Sequence, residues 1–244
     1  MIQLGLSFVL FIYIDCSINK NLSAQLCYGA EDQKDGKMPK VGVSVLRRQQ
    51  LINAACQVIR DGGLGEATMA SVADAAGLST GIVAHYFGNK DGLLEATMRQ
   101  LLRDLRGAVS RHRARVPDDT PRAQLQAIVL GNFDKTQISA DAMRVWLSFW
   151  SASLNQPDLA RLQRANDKRL YSNLAYQFSR VLPREQARRA ATGLAAVIDG
   201  LWLRGSLSGT FDPHQATLIA FDYIDQTLGR ALERPAPSSC KESF

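Results

Sequence analysis

The sequence predicts an all-α protein: a small head of three helices followed by a larger helical body. Three observations predict it. After Met38 no apolar–polar alternation of useful strand length occurs. Apolar residues recur instead three and four positions apart, as on one helical face. Prolines fall between these segments, where a helix opens or stops.

The elements follow in order. A first helix carries Leu51, Ile52, Ala55, Val58 and Ile59 on one face and is expected to stop at Gly62-Gly63. Thr68 caps a short second helix running through Ala76. Gly77 supplies the permissive turn residue. A third short helix starts at Ser79 or Thr80 and runs to about Phe87. Asn89 caps a long fourth helix, with Asp91 in its first turn, that reaches about Val116. Five more are expected: from Pro121 to near Gln137, from Ala140 to Asn155, from Pro157 to before Pro183, from Arg184 to Leu207, and from Asp212-Pro213 to about Glu233. The expected domains are a head over 38–92 and a body over 93–233.

Composition bounds the function loosely. The 244 residues suffice for one or two domains with a sizeable core. A net charge of +6 favours an anionic partner without naming it. Cys16, Cys27, Cys56 and Cys240 are scattered, which speaks against a disulfide framework or a zinc site and suits a reducing cytoplasm. Met1–Ile14 is apolar but lacks a basic start and is too short to span a bilayer, so no membrane partner is expected. Residues 1–37 are expected to lie outside the functional fold, with Met38 as the effective start, and the Pro/Ser-rich tail 234–244 to be disordered.

The segment Thr68–Leu94, "TMASVADAAGLSTGIVAHYFGNKDGLL", holds most of the chemistry. Two short helices crossing steeply need a small residue at the crossing and a glycine in the turn, and Ala73 and Gly77 suit these places. Val72, Ala76, Leu78, Val83 and Phe87 can fill the shared core. Ser79, Thr80, Gly81, Ala84 and His85 are then left toward solvent, or toward a DNA major groove. Thr68 at a helix N-terminus, Tyr86, Lys90, Lys40, Arg47 and Arg48 are candidate phosphate contacts. A generic helical hairpin has the same spacing. The charge of 38–92 does not decide either, with five basic against four acidic residues.

A resemblance adds to this. A first helix ending in Gly-Gly, then Thr-x-x-x-Val-Ala-x-x-Ala-Gly-Leu-Ser, then Tyr-Phe-x-Asn-Lys-x-x-Leu-Leu, over residues 46–94, resembles the head of the TetR family. The resemblance implies a TetR-like fold: a three-helix helix-turn-helix head with a helical effector-binding and dimerisation body. It also implies a cytoplasmic, nucleoid-associated repressor that reads double-stranded DNA as a homodimer at a palindromic operator. Many members place a phosphate-binding tyrosine where this chain has Ala84; Tyr86 offers a phenol nearby. "MPKVG", "RRQQLINAA", "STGIVAHYFGNKDGLLEATMR", "RLQRANDKRLYSNL" and "AAVIDGLWLRGSLSG" resemble the choline-responsive branch of the family. That narrower resemblance implies control of genes converting choline to the osmoprotectant glycine betaine.

Aromatic residues crowd the body. Phe133, Trp146, Phe149, Trp150, Tyr171 and Trp202 are the candidate effector-binding residues, beside Tyr176 and Phe178. Trp146, Phe149 and Trp150 recur at i, i+3, i+4 and share a face. Aromatic faces attract a quaternary ammonium such as choline. Asp134 or Asp199 is a candidate counter-charge, and Asn132 or Asn166 a partner for a hydroxyl. Core packing is the competing role for each aromatic. Leu194, Val197, Ile198, Leu201, Ile219, Tyr223, Ile224 and Leu228 are the candidate apolar faces of a dimer, with ordinary intrachain core as the competing role.

Other classes fit less well. No nucleophile elbow, phosphate loop or metal-ligand cluster occurs, and His85, His112 and His214 lie far apart, so no catalysis, cofactor or metal is expected. "GGLGEA" has no preceding strand, which a dinucleotide site requires. An architectural DNA-binding protein and a TetR-type repressor of a multidrug efflux gene, answering to lipophilic cations, are the remaining alternatives.

Overall fold

The structure, a computed structural model, describes residues 40–232. The expected extension 1–37, the tail 234–244 and Cys16, Cys27 and Cys240 lie outside the described residues. The chain divides into two compact units, Met1–Val45 and Leu46–Phe244. Of the first unit, only residues 40–45 are described.

Ten helices are described: α1 Lys40–Glu66, α2 Met69–Ala75, α3 Thr80–Phe87, α4 Lys90–Ala114, α5 Pro121–Asn132, α6 Lys135–Ile138, α7 Ala140–Ser153, α8 Pro157–Ser179, α9 Arg184–Ser208 and α10 Pro213–Leu232. Two differences from expectation have local causes. α1 does not stop at Gly62-Gly63 but breaks at Gly63 and turns on to Glu66. α5 ends at Asn132, because Asp134 takes an extended backbone and caps the one-turn α6, its carboxylate accepting from the Thr136 N–H at 3.0 Å.

The turn between α2 and α3 is built by caps at both ends of α2. Thr68 Oγ1 accepts from Ser71 N–H at 3.0 Å while Ser71 Oγ accepts from Thr68 N–H at 3.0 Å. At the other end Leu78 N–H donates to Ala73 C=O and Gly77 N–H to Asp74 C=O, both at 2.9 Å, closing a Schellman motif. That motif needs a left-handed residue, and Gly77 provides it at φ 65°.

Two apolar clusters form. In the head, Leu51, Ala54, Ala55, Val72, Ala73, Val83 and Leu93 are buried, with Ala76, Leu78 and Phe87 packed on them. The body cluster runs through α4–α10 and includes Leu125, Phe149, Leu174, Phe178, Leu194 and Ile224. α4 serves both, since Leu93 enters the head cluster and Leu94 the body cluster. Ile59 and Ala67, from the segment expected to form the head, are also buried in the body cluster. Arg60 pairs with Asp141 across α1 and α7 at 3.1 Å, and Arg161 with Glu95 across α8 and α4 at 3.1 Å.

The expected dimer faces are largely spent inside the chain. Leu194, Ile198 and Ile224 are buried, and Val197, Leu201, Tyr223 and Leu228 pack half-buried against the same core. Ile219 is exposed, with Leu203 and Leu207 on α9 and Leu218 on α10. Cys56 is half-buried; burial, then the nearby Asp104 charge, pushes its thiol up to about 11, so it behaves as an inert apolar group. Among the described residues no helix is long and apolar enough to cross a membrane, and no cluster of His, Cys, Asp and Glu could hold a metal.

Candidate nucleic-acid interface and ligand cavity

α3 turns one face to solvent. Ser79, Thr80, Gly81, Ala84 and His85 are all exposed, while Val83 behind them is fully buried. Ser79 takes the N-cap position of α3 without a side-chain capping bond. The His85 ring meets Tyr86 edge-on at 5.3 Å, and Tyr86 itself is half-buried against the head cluster. The first turn of α4 sits tightly behind α3, because a Cβ at Gly92 would collide with the Phe87 carbonyl oxygen. Asn89 Oδ1 accepts the Gly92 N–H there at 2.9 Å.

The expected phosphate contacts are more engaged than the sequence suggests. Arg48 stacks over the Phe87 ring at 5.2 Å. Arg47 donates to Gln50 Oε1 at 3.3 Å. The Thr68 hydroxyl is committed to the capping box, and Lys90 Nζ donates at 3.0 Å to the Gly65 carbonyl at the broken end of α1. Arg48, Thr68 and Lys90 thus help fix the head, while the Arg47 bond stays within α1. Lys40 is the first residue of α1 and belongs to the other unit.

The body holds a cavity of about 500 Å³, counting its open mouth. Trp146 and Trp150 of α7 and Trp202 of α9 form its aromatic wall. Trp150 and Trp202 lie 4.9 Å apart between ring centroids, tilted by 49°. Gln137 on α6 sets two of the indoles: its Oε1 accepts Trp146 Nε1–H at 3.2 Å and its carbonyl accepts Trp202 Nε1–H at 3.4 Å. The Trp150 Nε1–H is buried with no partner among the described residues, and so is Gln163 Oε1. Both residues line the cavity.

Two carboxylates complete it. Gln163 Nε2 donates to Asp167 Oδ1 at 2.7 Å, which leaves the Gln163 carbonyl oxygen free to point elsewhere. Burial raises the Asp167 carboxyl above its ordinary range. Asp199, still open to solvent at the mouth, is pushed up to about 6, by desolvation first and by the Asp167 charge second. Both shifts mark a place short of positive charge. Asn132 and Asn166 line the cavity as well.

The other expected effector residues stand elsewhere. Phe149 turns into the centre of the body and is 0% exposed, although it lies one turn from Trp146 and directly precedes Trp150. Phe133 packs on Phe211 at 5.5 Å between centroids. Tyr171 packs half-buried on the body core without lining the cavity. Asp134 is occupied too: burial works against its charge, but hydrogen bonds from Thr136 and His112 outweigh that and hold its carboxyl below the usual range. Gln137, Gln163 and Asp167 were missed by sequence reasoning. Their polar side chains carry no apolar periodicity, and only the fold gathers them.

An exposed recognition-type helix in a capped helix-turn-helix, joined to a helical body, defines a DNA-binding transcriptional regulator as the class. Comparison with known proteins agrees. Residues 51–97 match the model of bacterial regulatory proteins of the tetR family, and residues 121–229 that of the BetI-type transcriptional repressor C-terminal domain. The chain is 62% identical over 195 residues to the HTH-type transcriptional regulator BetI of Stenotrophomonas maltophilia (strain R551-3), covering 80% of this chain and 99% of that protein. It is 55% identical to the protein of the same name from Ectopseudomonas mendocina (strain ymp), covering 80% and 100%. A transcriptional regulator from Saccharomonospora viridis, solved in complex with choline, has the same fold, with a TM-score of 0.63 at 23% identity over 74% of this chain and 96% of that one. The chain belongs to the TetR family of transcriptional repressors, in the branch with a BetI-type C-terminal domain. It is a DNA-binding regulator and not an enzyme.

Proposed function

We propose that the chain represses genes for converting choline to glycine betaine, and that choline or a close relative in the Trp146–Trp150–Trp202 cavity controls its hold on DNA. The carrying observation is the chemistry of that cavity. A quaternary ammonium donates no N–H hydrogen bond, so it is recognised by aromatic faces and negative charge. Three indoles and two carboxylates offer both. The choline hydroxyl needs one acceptor and one donor, and the two orphaned buried atoms are an acceptor, Gln163 Oε1, and a donor, Trp150 Nε1–H. The S. viridis regulator supports only the fold's capacity to house choline.

On the DNA side, Ser79, Thr80, Gly81 and His85 enter the major groove and read bases. Thr68, Tyr86, Lys90, Arg47 and Arg48 contact phosphates. A palindromic operator requires a two-fold homodimer. Exposed Leu203, Leu207, Leu218 and Ile219 supply apolar surface for a second copy. The protein works in the cytoplasm, on the nucleoid.

A gel-shift titration on the DNA upstream of the chain's own gene, with and without choline, tests this. Specific binding that choline alters is expected. Affinity no greater than for random duplex at physiological salt removes the repressor assignment for that site. Specific binding indifferent to choline, but sensitive to bulky lipophilic cations, removes choline as effector.

A further inference from the structure

A second cavity adjoins the first and has the opposite chemistry. It measures about 490 Å³ with its mouth. Leu105, Asn132, Asn166 and Leu170 line both cavities. Where the first presents Asp167 and Asp199, the second presents Arg106 and Arg113 of α4 and Arg169 of α8. Among the described residues, no carboxylate lies within ion-pair distance of any of these three guanidiniums. Arg113 Nε donates to Gln124 Oε1 at 2.7 Å, and Arg169 Nη2 to Asn166 Oδ1 at 3.0 Å. Both acceptors are neutral amides, so these bonds aim the guanidiniums without cancelling their charge.

Positive charge is thus gathered where it is costly. Arg113 and Arg169 are half-buried, and burial, followed by the charge of Arg106, makes the Arg169 proton easier to lose than usual. A solvated surface group would spread such charges or pair them, as Arg60, Arg122 and Arg161 are paired here. Guanidinium forks match the two oxygens of a carboxylate or phosphate. We propose that this second cavity is a ligand site for a small oxyanion, a carboxylate or a phosphate, held by Arg106, Arg113 and Arg169. The anion arrives either free from solution or as the acidic end of a zwitterion whose ammonium occupies the first cavity. For a free anion, occupation of one cavity favours the other, because a cation beside Asp167 and Asp199 and an anion beside the arginines attract across their shared wall, and such coupling is reciprocal.

The test is calorimetric titration of the full chain with inorganic phosphate and, separately, with phosphocholine, in a zwitterionic buffer low in chloride. Tryptophan fluorescence is followed in the same samples. Saturable heat from phosphate is expected, weakened about tenfold or more in both Arg106→Gln and Arg169→Gln, since a charge-assisted bond is lost. Arg106 is exposed, so its replacement leaves the fold intact. Tighter binding of phosphocholine with a tryptophan response identifies the zwitterion as the source; phosphate heat without one identifies a free anion. No saturable heat from either, or heat unchanged in both variants, overturns the proposal. Choline is titrated alongside: loss of its response with the phosphate response intact sinks only the effector assignment.

Discussion

Replacing Trp150 by Phe is expected to move ligand-free stability and choline affinity in opposite directions. In the ligand-free protein the Trp150 N–H is buried without an acceptor. An unsatisfied buried donor costs about 1–3 kcal/mol. Phe removes that donor and keeps an aromatic face beside Trp202. The smaller ring gives up apolar contact worth about 1 kcal/mol, since Trp150 is only half-buried and faces a cavity. The net expectation runs from no change to a gain of about 2 kcal/mol. At about 2–4 °C per kcal/mol for a chain of this size, the melting temperature stays level or rises by several degrees.

Choline affinity falls instead. The hydroxyl loses a donor worth about 0.5–1.5 kcal/mol. Phe is also the poorer cation–π partner, by about 0.5 kcal/mol. Together they amount to about 1–2 kcal/mol, or roughly a five- to thirtyfold weaker Kd. Thermal unfolding of the ligand-free variant and calorimetric titration with choline measure the two quantities independently. A lowered melting temperature with unchanged choline affinity refutes the reasoning, because the donor would then have been satisfied at rest and idle toward the ligand.

Choline affinity should be level at neutral pH and above, and fall as pH drops through about 6, because protonation of Asp199 removes a counter-charge. Ligand-free stability has the reverse sign: the raised folded-state pKa means the folded protein gains relative to the unfolded chain as pH falls through that range. Asp199→Asn flattens both profiles, which calorimetry and urea unfolding across pH would reveal. Gly77→Ala has open space around its new methyl but a left-handed backbone at φ 65°, so about 1–2 kcal/mol of stability is lost in urea unfolding; a smaller loss means the turn relaxes. His85→Ala should blur discrimination at one base position by about 1–3 kcal/mol, whereas Arg47→Ala should weaken all duplexes alike and reduce the salt slope by about one; gel shifts on operator variants at several salt concentrations separate the two.

The helix pattern was legible because its signals are local. Thr68, Gly77, Asn89, Pro121, Pro157 and Asp212-Pro213 act on the backbone of their immediate neighbours, and the structure uses them as caps and breaks where the sequence places them. The exposed face of α3 was legible for the same reason, since it is what remains once Val72, Ala73 and Val83 are buried. The cavity was half legible. Trp146 and Trp150 announce a shared face, but nothing local tells Phe149, between them in sequence, that its side will meet the centre of the body. Asp199 against Asp134 could not be chosen from sequence either: the choice depends on His112, which comes 22 positions earlier and takes the Asp134 carboxylate. Leu194 and Ile224 pose the same difficulty, because they look alike whether they face a partner or their own chain.

The same placement bears on how a small cation can act on DNA. Emptying an operator from nearly full to nearly bare needs about 5.5 kcal/mol of differential affinity. A two-fold dimer has two cavities, so each must supply about 2.7 kcal/mol, half of that figure. A cation–π cage contributes about 2 kcal/mol when desolvated, and a hydroxyl bond about 1 more, so the effector reaches that figure only if most of its contacts are lost in the DNA-bound form. α7 is the element on which that difference can be expressed. It carries Trp146 and Trp150 into the cavity, while Asp141 in its first turn holds Arg60 of α1 at 3.1 Å. On the proposed mechanism, a ligand held by Trp146 and Trp150 bears on the same helix whose Asp141 meets α1, and a ligand that made the same contacts in both forms would leave the repressor on its operator.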